Sequence, residues 1–301
     1  MKKTISLQKP KFFLRIFVQT YSFLRVLGVT RLPKIKGLFF YFYRRVKNKK
    51  GVVLIHVHNY KMYLDLADQT VSTKLLQHGF WEEGVTNFVK RNILPGMVVV
   101  DCGAHTGYYS LLFSKLVGEK GKVYSFEPDP YNFEFLQNNL SINLIKNVTP
   151  EKKAVSNAKG FVDLFMVDQD NLSAHTIVKS DDTQTSHHKI EAITIDRYLE
   201  NLKTPIDLIK MDIEGAESLA IEGMEKTIKN NNLSIITEFH PSMIVKGGND
   251  PKKFIDKLRS LGFTLFIIHP KTGNLELVED SDKLINICGE GLLNLFCTKT
   301  T

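Results

Sequence analysis

The sequence predicts an α/β protein, with strands and helices alternating along a mostly parallel sheet and a basic helical extension ahead of it. Three stretches carry that expectation. Met97 to Leu112 reads MVVVDCGAHTGYYSLL: four apolar residues in a row suit a strand covered on both faces, and Tyr108, Leu111 and Leu112 have helical spacing. Lys122 to Glu127 is a second short strand ending in an acid, with Pro128 and Pro130 before a helix that carries Phe133, Leu136 and Leu140 on one face. Ile206 to Met211 is a third apolar strand, running into Asp212-Ile213-Glu214-Gly215-Ala216-Glu217 and then another helical pattern.

The elements follow in order. Residues 1–50 hold fourteen Lys or Arg and no acid, so a chain of net charge +8 leaves 26 bases against 32 acids in the rest, a net −6. The basicity therefore belongs to a local partner. Residues 12–29 are apolar but interrupted by Arg15, Gln19 and Arg25, short of the roughly twenty apolar residues of a membrane span. Together with Phe39 to Arg45 (FFYFYRR) they suit an anionic membrane surface, a cap packed on the enzyme body, or a polyanion such as RNA. Composition leaves these three open. No small-residue cleavage site follows, and Cys102, Cys288 and Cys297 have no pairing or metal spacing. The expected setting is a reducing, cytoplasmic one, peripheral to the membrane if the basic segment docks there.

Residues 51–95 form a second unit, expected to cap the active site. Val53, Ile55 and Val57 alternate with Leu54, His56 and His58, which reads as a hairpin turning at Asn59-Tyr60. Val71 to Phe88 is helical in two pieces around Gly79. Two histidines on one polar strand face are ordinary, and a metal pair at His56 and His58 is the minor reading.

The main domain is expected over residues 96–301. Gly103 permits a tight turn, and Gly107 lets the helix begin close to a strand or ligand. A strand–turn–helix of this kind turns free N–H groups and a positive helix end toward a ligand. Asp101 at the strand tip would repel a phosphate and suit a cation. His105 occupies the third position of G-x-G-x-x-G, where a second glycine is wanted, which argues against a nicotinamide cofactor. Glu127, twenty residues beyond Gly107, is placed to accept hydrogen bonds from both ribose hydroxyls of an adenosine. Lys153 to Ser156 suggests a third strand edge, and Asp168 to His188 a polar loop. Ile190 to Leu199 reads as a strand leading into a short helix, and Leu233 to Glu238, Phe263 to Ile268 and Leu292 to Cys297 complete the strands, with a helix at 254–261.

The blocks DCGAHTGYYS, FEPDPYNFEFLQNN, DLIKMDIEGAE and ITEFHP, in this order, resemble the FkbM-type methyltransferases that use S-adenosylmethionine (SAM). The likeness runs from about His58 to Phe296. It implies a doubly wound, Rossmann-like sheet of seven strands, mostly parallel with a last antiparallel strand. It also implies SAM as donor, held by Asp101, Gly103, Ala104, His105, Gly107, Glu127, Pro128 and Asp212, and an oxygen acceptor on a saccharide, glycolipid or related small molecule. The family commonly has Asn where this chain has His105, which leaves that side chain's contact open and could bring His105 into the chemistry.

An alcohol acceptor needs a base or a metal, because its proton is held tightly at neutral pH. Asp212 and Glu214 share a spacing of two, as do Glu238 and His240. On adjacent strands they would gather at the carboxyl rim, where crowding raises carboxylate pKa values. The expectation is that His240 or Asp212 is the base, with Glu238 orienting it and Glu214 nearby. Asp212, Glu238 and His240 could equally hold Mg²⁺. Lys210 is expected to be a paired structural lysine. The rival functions are methylation of RNA through the basic arm and a catalytically silent, membrane-docked SAM-binding module.

Overall fold

A computed structural model describes residues 51–299 apart from 69, 167–174, 180–187 and 203, together with Ile16, Val18, Thr20, Tyr21, Leu24 and Tyr41. The other readings on residues 1–50, and the loop reading over 168–174 and 180–187, lie outside the described residues, whereas His175-Thr176 within that loop is a short strand. The six described positions of the first fifty are helical, and Val18 and Tyr21 are buried in the core. Among the described residues no helix is long and apolar enough to cross a membrane.

A hairpin of β1 (Val52–Val57) and β2 (Tyr60–Asp65) leads to α1 (Val71–His78) and α2 (Glu83–Asn92). Its turn is His58-Asn59, one residue earlier than expected. Both residues have positive φ, 50° and 71°, as a type I′ turn requires. The main sheet then begins with β3 (Val98–Cys102), α3 (Tyr108–Val117), β4 (Lys122–Phe126), α4 (Pro130–Ile142) and β5 (Val148–Glu151).

A small antiparallel and parallel sheet follows: β6 (Ala154–Val155), β7 (Gly160–Met166), β8 (His175–Thr176) and β9 (His188–Ile193), with α5 (Ile195–Tyr198) after it. The chain returns to the main sheet through β10 (Leu208–Met211), α6 (Glu217–Glu222), α7 (Glu225–Asn230), β11 (Ser234–Phe239), α8 (Pro241–Lys246), α9 (Pro251–Ser260), β12 (Phe263–Ile268), β13 (Leu275–Leu277), α10 (Ser281–Cys288) and β14 (Leu293–Lys299).

The main sheet runs β13-β12-β14-β11-β10-β3-β4-β5. From β5 to β11 every pairing is parallel, and β14 lies antiparallel between β11 and β12. Seven of these strands are those the family likeness implies; the eighth is β13, three exposed residues at the edge. β3 is buried throughout, and its side chains alternate between two cores. Val99 joins the cluster under α3, α4 and the hairpin, while Val98, Val100 and Cys102 join the cluster under α6 to α10. Helices thus cover both faces.

One strand assignment is corrected. The third parallel strand is β5, whereas Ala154-Val155 turns away and pairs with β9. Gly160 to Met166 pairs with β9 and β8 in the small sheet. After β3 the chain moves toward β4 and β5, and it later comes back to the other side at β10. The crevice outside the carboxyl ends of β3 and β10 is where ligands bind in open α/β sheets.

Candidate active site

A cavity of about 510 Å³ opens at that crevice, within the roughly 300–1,000 Å³ common for ligand sites. Its floor is the carboxyl rim: Gly103, Ala104 and His105 after β3, Glu127 and Pro128 after β4, Asp212 and Glu214 after β10, Glu238 and His240 at the end of β11. One wall comes from the small sheet, through Lys153, Ala154, Leu164 and His175. The opposite wall comes from the unit before the main domain, through Thr70, Lys74, Trp81 and Glu82.

Gly103 is fixed by close approach as well as by dihedral. Its φ is +81°, and a Cβ there would sit 1.9 Å from the carbonyl oxygen of Asp212. The two central strand ends are therefore nearly in backbone contact. Gly107, also at positive φ, faces Leu136 of α4 and not the cavity. The glycine turn does not offer a row of free amides, contrary to expectation. Gly103 and Ala104 N–H both donate to Phe126 O, Gly107 N–H donates to Ala104 O, and His105 N–H donates to Glu127 Oε2 at 2.7 Å. His105 itself adopts φ 50°, and burial depresses its pKa against the pull of Asp68.

Glu127 is 5% exposed and accepts one backbone N–H on each oxygen, from His105 and, at 2.9 Å, from Asp129. Each oxygen keeps a second lone pair, so the carboxylate suits two adjacent hydroxyl donors. Burial pushes its pKa up to about 8, with the Asp129 carboxylate adding to the rise.

Asp101 is placed differently from the expectation. It is wholly buried and does not line the cavity. Oδ2 accepts from Ser110 Oγ at 2.7 Å, Ser110 bonds Ser125, and Oδ1 has no hydrogen-bond partner. Strand alternation is the reason, since the side chain one residue before the strand's end turns under α3 instead of into the mouth. Asp101 acts on the cavity only through its field, next to Lys210.

Lys210 is 2% exposed, yet it lines the cavity. Its Nζ donates to Asp212 Oδ2 at 3.0 Å and lies 4.5 Å from the centre of the Tyr109 ring. Burial alone would lower its pKa, but Asp212, Glu82 and Asp101 together raise it. The lysine is paired, as expected, and among the described residues it is also the one Lys or Arg that is buried. Glu214 (φ 53°) is raised to about 8 by burial, Asp212 and Glu217. Glu217 does not line the cavity; it accepts from Ile213 N–H at 3.1 Å and is raised to about 7 by burial. Glu238 is raised well above the usual range by burial, with Asp212, Glu82 and Glu214 adding to it.

His240 caps α8. Met243 N–H meets its Nδ1 at 3.3 Å, with Ser242 Oγ at 3.0 Å. A backbone N–H can only donate, so Nδ1 accepts and the neutral ring carries its proton on Nε2. Burial further lowers its pKa. His240, which lines the cavity, thus carries its proton on Nε2 when neutral. Asp212, the other expected base, is committed to Lys210. Among the described residues no group of three or more His, Cys, Asp or Glu side chains is arranged to hold a metal. The expected trio of Asp212, Glu238 and His240 shares a cavity but does not converge as ligands, and His58 bonds Tyr108 at 2.8 Å.

Sequence reasoning missed Glu82. Its Oε2 accepts from Tyr109 Oη at 2.9 Å and its Oε1 from Asn294 Nδ2 at 2.7 Å. The only local signal is an acid pair before Gly84, between two helical patterns.

The family model of the methyltransferase FkbM domain matches residues 101–265. No curated protein matches the chain. Among solved structures, the methyltransferase FkbM from Methylobacillus flagellatus is similar at 17% identity, over 77% of this chain and 53% of that one, with a TM-score of 0.44. The chain thus spans about half the length of that protein. A SAM-dependent O-methyltransferase from Thermotoga maritima is similar at 14% identity, over 82% of this chain and 77% of that one, with a TM-score of 0.41. Aeropyrum pernix fibrillarin is similar at 12% identity, over 83% of each chain, with a TM-score of 0.39. The matched family segment covers more than half of the chain and contains the whole carboxyl rim of the cavity from Gly103 to Met243; the chain belongs to the methyltransferase FkbM domain family.

Proposed function

We propose that the cavity binds SAM and that the enzyme transfers its methyl group to a hydroxyl oxygen of a saccharide, glycolipid or related small molecule. Glu127 carries this reading: a buried carboxylate on the cavity wall, with each oxygen half-used, suits a vicinal ribose diol. The charge balance of the lining supports the same donor. Glu127, Asp212, Glu214 and Glu238 face Lys74, Lys153 and Lys210, an excess of acid that favours a cation and disfavours a phosphate ligand.

SAM supplies an activated methyl on a positively charged sulfur, so the protein's share is positioning and proton removal. Well-oriented reactants alone account for about 7–11 kcal/mol of a barrier. Gly103 and Ala104 bring the backbone of β3 against the cofactor space, and Lys210 holds the Asp212 side chain in place through its hydrogen bond. His240 Nε2–H is set to hold the acceptor oxygen, while a raised carboxylate of the cavity takes its proton. A hard cation at Asp212, Glu238 and His240 is not part of this reading, because those side chains do not converge. The basic segment 1–50 would bring the enzyme to an anionic surface, the natural place for a lipid-linked acceptor.

The test uses the full chain with tritiated SAM against methyl hexopyranosides and a glycolipid extract. Label in an alkali-stable ether on a sugar hydroxyl supports the reading. SAM binding with label recovered only in added RNA or protein overturns the choice of acceptor.

A further inference from the structure

One acid of the cavity, Glu82, lies ahead of the family-matched segment. Along the rim the strands run β4, β3, β10, β11, β14, and neighbours are about 4.8 Å apart. Glu127 follows β4 at one end, and Asn294, Glu82's partner, is on β14 at the other, about 19 Å away by strand count. With the ribose at Glu127, Glu82 belongs to the acceptor half.

We propose that Glu82 is the general base of methyl transfer, held in its working position by Tyr109 and Asn294. Four observations converge on it. Its carboxylate lines the cavity. Both of its oxygens are anchored by neutral donors on different elements, Tyr109 Oη from α3 and Asn294 Nδ2 from β14, and each keeps a lone pair for an incoming hydroxyl. Its backbone is held at φ 40°, ψ 75°, a left-handed conformation that costs a non-glycine residue energy and recurs at functional sites. Asn294 stands opposite Glu238 in the β11–β14 ladder, so the anchor also spaces the two acids.

The groups acting on Glu82 explain its reactivity. Burial raises its pKa, Lys210 opposes this, Asp212 adds to it, and the two anchors favour the ionised form. A carboxylate stronger than usual, yet kept ionisable by a buried lysine, is suited to accept a proton near neutral pH. In the step, the acceptor oxygen bonds the methyl carbon, the carbon–sulfur bond breaks with its electrons going to sulfur, and the hydroxyl proton passes to a Glu82 oxygen. The products are the methyl ether, neutral S-adenosylhomocysteine and a protonated Glu82, which returns its proton to solvent. The inference rests on the proposed transfer from SAM to a hydroxyl.

The experiment measures SAM affinity by calorimetry and tritium transfer to the methyl hexopyranosides and glycolipid extract, for the wild-type chain and Glu82→Gln. The expected result is unchanged SAM affinity with turnover lower by about 10²–10⁴-fold, loss of the rising limb of the pH profile, and partial recovery in Glu82→Asp. Tyr109→Phe and Asn294→Ala remove one anchor each, so they should shift that limb to higher pH without moving the KM for SAM. Wild-type turnover in Glu82→Gln, or a loss confined to SAM affinity, overturns the proposal while leaving the methyltransferase reading intact. A wild-type chain that binds SAM and labels no hydroxyl compound overturns both.

Discussion

Glu127 shows how one side chain sets the ligand. Its two oxygens accept from His105 and Asp129 amides, so Glu127→Gln keeps the side chain's size but leaves one of those amides facing an NH2 donor and removes the charge that two hydroxyls would bond. Hydrogen bonds to a charged group contribute about 1.5–3 kcal/mol, so SAM affinity in calorimetry should fall by roughly 10- to 100-fold. Lys210 is the opposite case. It is the buried partner of Asp212, with Asp101 and Glu82 close by. Lys210→Met leaves those acids uncompensated, and breaking such a buried pair costs about 3–5 kcal/mol. A thermal melt should show that loss, and an unchanged melting temperature would mean the acids do not depend on the lysine.

At the scale of elements, the contact between the ends of β3 and β10 organises the crevice. Gly103→Ala adds a Cβ 1.9 Å from Asp212 O at φ +81°. Strain at positive φ alone exceeds the roughly 0.4–1 kcal/mol that a tolerated Gly→Ala change gains. The variant should therefore melt lower and lose SAM affinity together, since the same shift displaces Asp212. What the sequence made legible follows the strength of local pattern. The strand–turn–helix of β3 and α3 and the hairpin were readable because apolar runs and alternation fix which faces are buried. β6 was misread as a main-sheet edge because two residues carry no record of their partner strand. Asp101 was assigned to the mouth because its place at a strand tip is visible, whereas the face it turns to depends on α3 packing above it. Glu82 was invisible because its meaning comes from Tyr109 and Asn294, which are 27 and 212 residues away.

At the scale of the whole molecule, the carboxylate floor couples charge to both stability and binding. Glu127 and Glu214 are raised to about 8 and Glu217 to about 7, above the roughly 4.3 of an unfolded glutamate. The folded chain therefore holds protons that the unfolded chain releases. Its stability from these groups is full below about pH 4 and is lost as the pH climbs through 7 to 8. The ligand-free protein should melt at progressively lower temperature from about pH 5 to about pH 9, and Glu127→Gln should flatten that slope. A cationic donor reverses the preference: by favouring the ionised acids it releases protons on binding. The neutral product S-adenosylhomocysteine lacks that charge, so its affinity should follow pH less steeply.

The most direct test of the cavity as a site for a positively charged nucleoside donor is a calorimetric titration of the full chain with SAM, repeated from about pH 6 to about pH 9. The account predicts saturable binding at one site that tightens as the pH rises and is lost on replacing Glu127 with Ala. No binding at millimolar SAM, or an affinity indifferent both to pH and to that replacement, would contradict it.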